Sequence, residues 1–169
     1  GDMVLTKGGR QVDASGLLSF EEEAAKGIHI TDRETDVVRK DTYVVRHYVP
    51  VKREGQTVAM LYGVIVPGDL PEEVSLNPYG GRGALYIIDG NTGDFLIDTW
   101  HAGVTGNIWA LGERKMAPGY NSVQLKEGVT NGDSRYVVFI SETIGEYLYF
   151  YYEPMGINDW RIAVSVPES

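Results

Sequence analysis

Apolar and polar positions alternate over several short stretches of this chain, a period of two that marks strands with one buried face. Met3-Val4-Leu5-Thr6 and Gln11-Val12-Asp13 flank Lys7-Gly8-Gly9-Arg10 and predict a β-hairpin closed by a glycine turn. Two longer runs, Tyr43 to Val51 and Thr57 to Val66, are rich in β-branched and aromatic residues and flank Arg53-Glu54-Gly55. They predict an antiparallel pair. A second hairpin is predicted from Ala84 to Ile88 and Phe95 to Trp100, about a turn at Asp89-Gly90-Asn91-Thr92-Gly93. Three closing strands follow over Ser134 to Ile140, Glu146 to Tyr152 and Trp160 to Val166.

The helical signals are short. Ser19-Phe20-Glu21-Glu22 reads as a capping box, with Gly27 as a left-handed cap. The triplet Glu21-Glu22-Glu23 falls in its first turn, where carboxylates suit the helix dipole, a structural role. Asp69-Leu70-Pro71-Glu72 opens another helix, with proline near the first position. Further fragments are predicted over Ile108 to Met116 and Ser122 to Glu127, the latter ended by Gly128. The stretch Asn77-Pro78-Tyr79-Gly80-Gly81-Arg82-Gly83 reads as a linker.

The two sides of that linker repeat one plan of hairpin, helix, then strands. Each side carries Tyr-x-Pro after an aromatic strand, at Tyr48-Val49-Pro50 and Tyr152-Glu153-Pro154, and a later strand ending Val-Pro, at Val66-Pro67 and Val166-Pro167. Proline lacks the ladder amide and so belongs where a strand ends. Two similar antiparallel modules, residues 3–70 and 80–169, are the expectation.

Composition narrows the function. The net charge is -9, which repels phosphate backbones and anionic lipid and argues against nucleic-acid binding. There is no cysteine, so disulfides, cysteine-ligated metal and thiol catalysis are excluded. No apolar run approaches the roughly 20 residues that span a bilayer. The ends, Gly1-Asp2-Met3 and Val166-Pro167-Glu168-Ser169, read as those of a fragment of a longer protein. His29, His47 and His101 are the only histidines, and none has a second histidine or a cysteine at i+2, i+3 or i+4, so no metal site is expected. No Gly-x-Ser-x-Gly elbow occurs, and Gly80-Gly81-Arg82-Gly83 lacks the Lys-Ser/Thr of a phosphate loop. These absences argue against an enzyme, and no cofactor is implied.

Several of these segments together resemble the Cache family of extracellular sensors, PAS-like modules often found in tandem. The resemblance rests on Tyr48-Val49-Pro50-Val51, the Glu54-Gly55 turn, Gly63-Val64-Ile65-Val66 leading to Leu70, and Leu85-Tyr86-Ile87-Ile88-Asp89-Gly90. Asn158-Asp159-Trp160 and Gly27-Ile28-His29-Ile30-Thr31-Asp32 add to it. It covers most of residues 20–169. It implies an α+β fold of PAS-like antiparallel sheets with short flanking helices. Residues 3–70 would be the membrane-distal module and 80–169 the membrane-proximal one. It further implies a small-molecule sensing domain, lying outside the cytoplasm, of a membrane-anchored histidine kinase, diguanylate cyclase or chemoreceptor, with homodimer formation left open. Two departures from the family stand out: the long amino-terminal helix that links such modules to the membrane has no counterpart here, and the amino-acid-binding motif is replaced, which counts against an α-amino-acid ligand. The Arg-x-Trp-Tyr segment and pocket Asp of amino-acid-binding members are replaced by Phe20-Glu21-Glu22-Glu23 and Tyr62-Gly63-Val64-Ile65. Two other readings stay open: a cytosolic PAS-like module for a cofactor or dimerisation, and a small β-rich hydrolase.

The segment after the first helix and the paired strands that follow should build the pocket. Its candidates are His29, Thr31, Arg46, Tyr48 and Tyr62, with Trp109 and Tyr149 as their counterparts in the second module. A buried Arg46 would favour a carboxylate through a bidentate pair. Strand alternation requires Arg46 and Tyr48 to share one face.

Overall fold

The computed structural model describes residues 2–69, 78–100, 106–141 and 145–169. The chain divides into two compact units, Gly1–Pro67 and Gly68–Ser169. Strand chemistry dominates, and the fold of the chain is α+β and PAS-like, of antiparallel sheets with short helices.

In the first unit β1 (Met3–Leu5) and β2 (Gln11–Asp13) form the expected hairpin, a two-stranded sheet of its own. Helix α1 (Phe20–Lys26) starts at Ser19, whose hydroxyl accepts the Glu22 amide at 3.4 Å. Gly27 ends it at φ 74°, ψ -133°, a positive-φ conformation outside the left-handed helical well that was expected. The spine of the unit is β5 (Tyr43–Arg53). Along one edge runs β6 (Gln56–Ile65), joined through Glu54 and Gly55 at φ 53° and 83°, the conformation a tight hairpin turn demands. Along the other lie two short strands, β3 (His29–Ile30) and β4 (Glu34–Thr35).

Pro50 corrects one expectation: it sits inside β5, opposite Met60, not at a strand end. The Arg46 amide and carbonyl bond Thr31, so even-numbered residues of β5 point their backbone groups toward β3. The β3 pairing stops at Tyr48, so Pro50 meets no ladder on that side. Its missing amide costs nothing there.

In the second unit the strands are β7 (Ala84–Asp89), β8 (Phe95–Asp98), β9 (Arg135–Ile140), β10 (Tyr147–Pro154) and β11 (Trp160–Pro167). They make one antiparallel sheet in the order β8-β7-β11-β10-β9. One face carries Tyr86, Ile88, Phe150, Tyr152, Val137 and Phe139 into the core. That face is covered by α2 (Ile108–Gly112) and α3 (Ser122–Asn131), through Ile108, Leu125 and Val129. In the first unit the central strand β5 is flanked by β6 and by β3 and β4, and the β1–β2 hairpin stands apart.

Three local expectations differ from the structure. Helix α2 ends at Gly112, four residues before Met116, because Met116 bridges Phe139 on the sheet edge. Helix α3 runs through Gly128 and stops at Gly132, which takes the left-handed cap at φ 74°, ψ 35°. The Tyr152 hydroxyl fills the space a Gly128 side chain would need. The Asp69 segment begins as a 3-10 turn, Pro67–Asp69, and the rest of that expected helix, like Asn77 and His101, lies outside the described residues.

Buried Arg161 ties α3 to the sheet. Its Nε donates to the Val129 carbonyl at 2.7 Å and its Nη2 to the Thr130 carbonyl at 3.3 Å. These are carbonyls of the last helical turn; that of Val129 also takes the Gly132 amide at 3.3 Å, and the cation suits the negative end of the helix. Arg161→Met should cost about 2 kcal/mol, the worth of buried charge-assisted bonds to carbonyls at the helix end. Urea denaturation followed by tryptophan fluorescence would measure it. A cost under about 0.5 kcal/mol, the size of an ordinary surface change, would mean water serves those carbonyls equally well.

Candidate functional site

The first unit draws five of the predicted residues into one cluster. His29, Tyr48 and Tyr62 are paired in register across β3, β5 and β6, so one face of the sheet presents them as a row. The His29 and Tyr48 rings stack at 4.9 Å and 15°, and the Tyr48 and Tyr62 rings lie 5.0 Å apart. Arg46, two residues before Tyr48, shares its face as alternation requires; its guanidinium carbon is 5.7 Å from the Tyr62 ring centroid. Arg46 and Tyr48 are buried at 0% and 2% exposure, while His47 points outward. Thr31 fixes the backbone: its hydroxyl accepts the Arg46 amide at 3.0 Å, and its own amide donates to the Arg46 carbonyl at 2.9 Å.

Acidic residues complete the cluster, and these the sequence reading did not place here. Glu34 pairs with Arg46 Nη1, and the Thr35 carbonyl accepts from Nη2 at 2.7 Å. Both ends of the guanidinium fork are therefore held by the chain itself. A carboxylate ligand meets Arg46 through Nε, through the second N–H of Nη1 or Nη2, or by displacing Glu34, so the bidentate seat is shared with the chain's own acceptors. Glu23 is buried at 7%, contacts the His29 ring nitrogen Nε2 at 2.5 Å and accepts from Lys26 at 2.8 Å. It belongs to the site as well as to the first turn of α1. Burial alone would push the Glu23 carboxyl up, but the hydrogen bonds from Lys26 and His29 hold it below its ordinary value. Asp36 is likewise held low against its burial, by the Val38 amide and Arg39.

Two polar atoms in this cluster are buried without a protein hydrogen-bond partner: Arg46 Nε and the Tyr48 hydroxyl. Burial raises the Tyr48 phenol well above its ordinary range, opposed in part by Arg46, so it stays a neutral donor. A guanidinium N–H and a phenol O–H together call for an acceptor oxygen.

The second-unit candidates do not come together. Trp109 lies on α2 against the core, its ring so close to Gly93 that a side chain there would meet it at 2.3 Å. Tyr149 alternates with buried Phe150 on β10, so it points from the opposite face and is 41% exposed. Strand alternation separates them. Among the described residues no group of three or more His, Asp or Glu is placed to hold a metal ion. Nor is any described helix long and apolar enough to cross a membrane.

No family model matches the sequence, and no curated protein is significantly similar to it. Solved structures do match. The extracellular domain named as that of histidine kinase rpHK1S-Z16 superposes with a TM-score of 0.64 at 14% identity, over 96% of this chain and 64% of its own. The ligand-binding domain of Pseudomonas fluorescens chemoreceptor CtaA, in complex with L-alanine, gives 0.62 at 15% identity, over 99% and 66%. That of Pseudomonas aeruginosa amino-acid chemoreceptor PctB, in complex with L-Arg, gives 0.60 at 14%, over 98% and 70%. The chain spans 53% to 64% of the length of the three histidine-kinase extracellular domains it matches. Over most of its length, then, it has the fold of these extracellular sensor domains, the fold that the Cache resemblance implied.

Proposed function

We propose that this chain is a non-catalytic, extracytoplasmic sensing domain of a membrane signalling protein, built as two PAS-like modules, with its ligand site in the first. The reading draws on the fold shared with histidine-kinase and chemoreceptor extracellular domains. Within the chain, the observation that carries it is the pair of buried, unpartnered donors, Arg46 Nε and the Tyr48 hydroxyl. The ligand is a small molecule with an acceptor oxygen for those two donors, and a carboxylate meets that need. His29 and Tyr62 flank the oxygen, Thr31 positions Arg46, and binding shifts a conformational equilibrium read by the rest of the protein.

A thermal-shift screen of acetate, lactate, succinate and L-alanine tests this. At least one should raise the melting temperature by mass action, and Tyr48→Phe should weaken that probe about tenfold, the loss of one net hydrogen bond. If every probe leaves both proteins unmoved, a small-carboxylate site at Arg46 is wrong. Binding that is unchanged in Tyr48→Phe would also overturn it.

A further inference from the structure

We propose that the second unit holds a small-molecule site of its own, at the β9 edge of its sheet, for an uncharged planar ligand bearing a hydrogen-bond acceptor. A cleft of about 160 Å³ opens there, lined by Tyr120, Gln124, Arg135, Tyr136 and Tyr152. A cavity of roughly 150 Å³ takes one benzene-sized molecule, which sets the ligand at a single ring with a small substituent.

Three segments build the cleft. Gly119, at φ 94°, turns the chain into Tyr120. Asn121 caps α3 by accepting the Gln124 amide at 2.9 Å, which fixes Gln124 in the first turn. Strand β9 then starts at Arg135, directly opposite Tyr152 in register. The Tyr120 and Tyr136 rings lie 5.9 Å apart at 49° and flank the cleft at the sheet edge, Tyr136 alternating with Arg135 along β9 and so facing away from the core.

Charge and hydrogen bonding narrow the class. Arg135 pairs with Asp133, its Nη2 3.1 Å from the carboxylate, so the one cation of the lining already has an acidic partner. An anion would have to compete with Asp133, and an uncharged ligand would not. Tyr152 is fully buried, and its hydroxyl has no protein hydrogen-bond partner. A phenol in that state needs an acceptor, and a ligand carbonyl supplies one. The Gln124 side chain can both donate and accept, so it complements a primary amide. An aromatic carboxamide meets all these demands together. None of this depends on the cluster about Arg46.

The probe is benzamide, with benzoate as the charged control of the same size. Benzamide should raise the melting temperature and shift the backbone amide resonances of residues 119–124 and 135–137. Tyr152→Phe keeps the ring and should weaken benzamide about tenfold, the loss of one net hydrogen bond. Gln124→Leu, on the exposed side of α3, should weaken it comparably, while Tyr48→Phe in the first unit should leave it unchanged. The proposal is overturned by resonances that stay put at saturating benzamide, by benzoate binding tighter than benzamide, or by equal affinity in Tyr152→Phe. A response abolished by Tyr48→Phe but kept in Tyr152→Phe would also overturn it, and would leave the first-unit site standing.

Discussion

Glu34→Ala is expected to destabilise the first unit by about 3 kcal/mol, more than removal of its partner. The asymmetry follows from burial. The Arg46 side chain is 1% exposed, whereas that of Glu34 is 36% exposed. Taking away the carboxylate leaves a buried guanidinium with the Thr35 carbonyl and the Tyr62 ring as partners, and a buried charge that loses its counter-ion costs about 3–5 kcal/mol. Partial access of water to the Glu34 side places the estimate at the low end. Arg46→Met instead removes the charge and refills the volume, while Glu34 turns to solvent, so a cost near 1 kcal/mol is expected. The three tryptophans, Trp100, Trp109 and Trp160, all lie in the second unit, so fluorescence would miss the change. Hydrogen exchange of the β5 amides would read it. The reverse order of the two costs would mean the guanidinium is stabilised chiefly by something other than Glu34. The same variant bears on function: if a ligand carboxylate displaces Glu34, Glu34→Ala should bind the responding carboxylate more tightly than the parent.

Local chemistry made much of this legible in the sequence. The turn at Glu54-Gly55 and the β-branched runs around it specify the β5–β6 pair, and alternation along β5 puts Arg46 beside Tyr48 on the buried face. Once β3 pairs with β5, His29 joins the row through register alone. The acidic half of the cluster had no such signal. Glu23 satisfies the rule for a first helical turn, and that local explanation hid its second partner, His29, six residues on. Glu34 lies in a two-residue strand, too short for any periodicity to announce. Tyr149 and Trp109 pair only through the likeness between the halves, and such a likeness does not say which face of β10 a residue takes. Pro50 and Gly128 were read by rules that hold only in local context. An edge without a partner strand tolerates the proline, and a tyrosine ring from another element replaces the missing side chain of the glycine.

Gly128→Ala should destabilise the second unit by about 1–3 kcal/mol, although glycine to alanine within a helix ordinarily gains about 1 kcal/mol. Gly128 is buried inside α3, and a β-carbon there would lie 2.1 Å from the Tyr152 hydroxyl and 3.1 Å from the ring carbon that bears it. The ring cannot swing aside: Tyr152 is 0% exposed and packs within the core beside Phe150. Tyr152→Phe removes the clashing atom. Alone it should be neutral or slightly stabilising, since it deletes a buried hydroxyl without a protein partner. With Gly128→Ala the remaining contact at 3.1 Å needs only a small adjustment, so the double variant should recover most of the loss. The expected coupling is at least about 1 kcal/mol, within the range for residues in direct contact. Trp160 in β11 is buried, and its fluorescence in urea would report all three variants. Additive effects, or a stabilising Gly128→Ala, would show that the hydroxyl does not rest on α3. With coupling as expected, the tyrosine keeps a better helix former out of α3 and contributes no internal hydrogen bond in return. A ligand acceptor in the adjoining cleft would supply the missing bond.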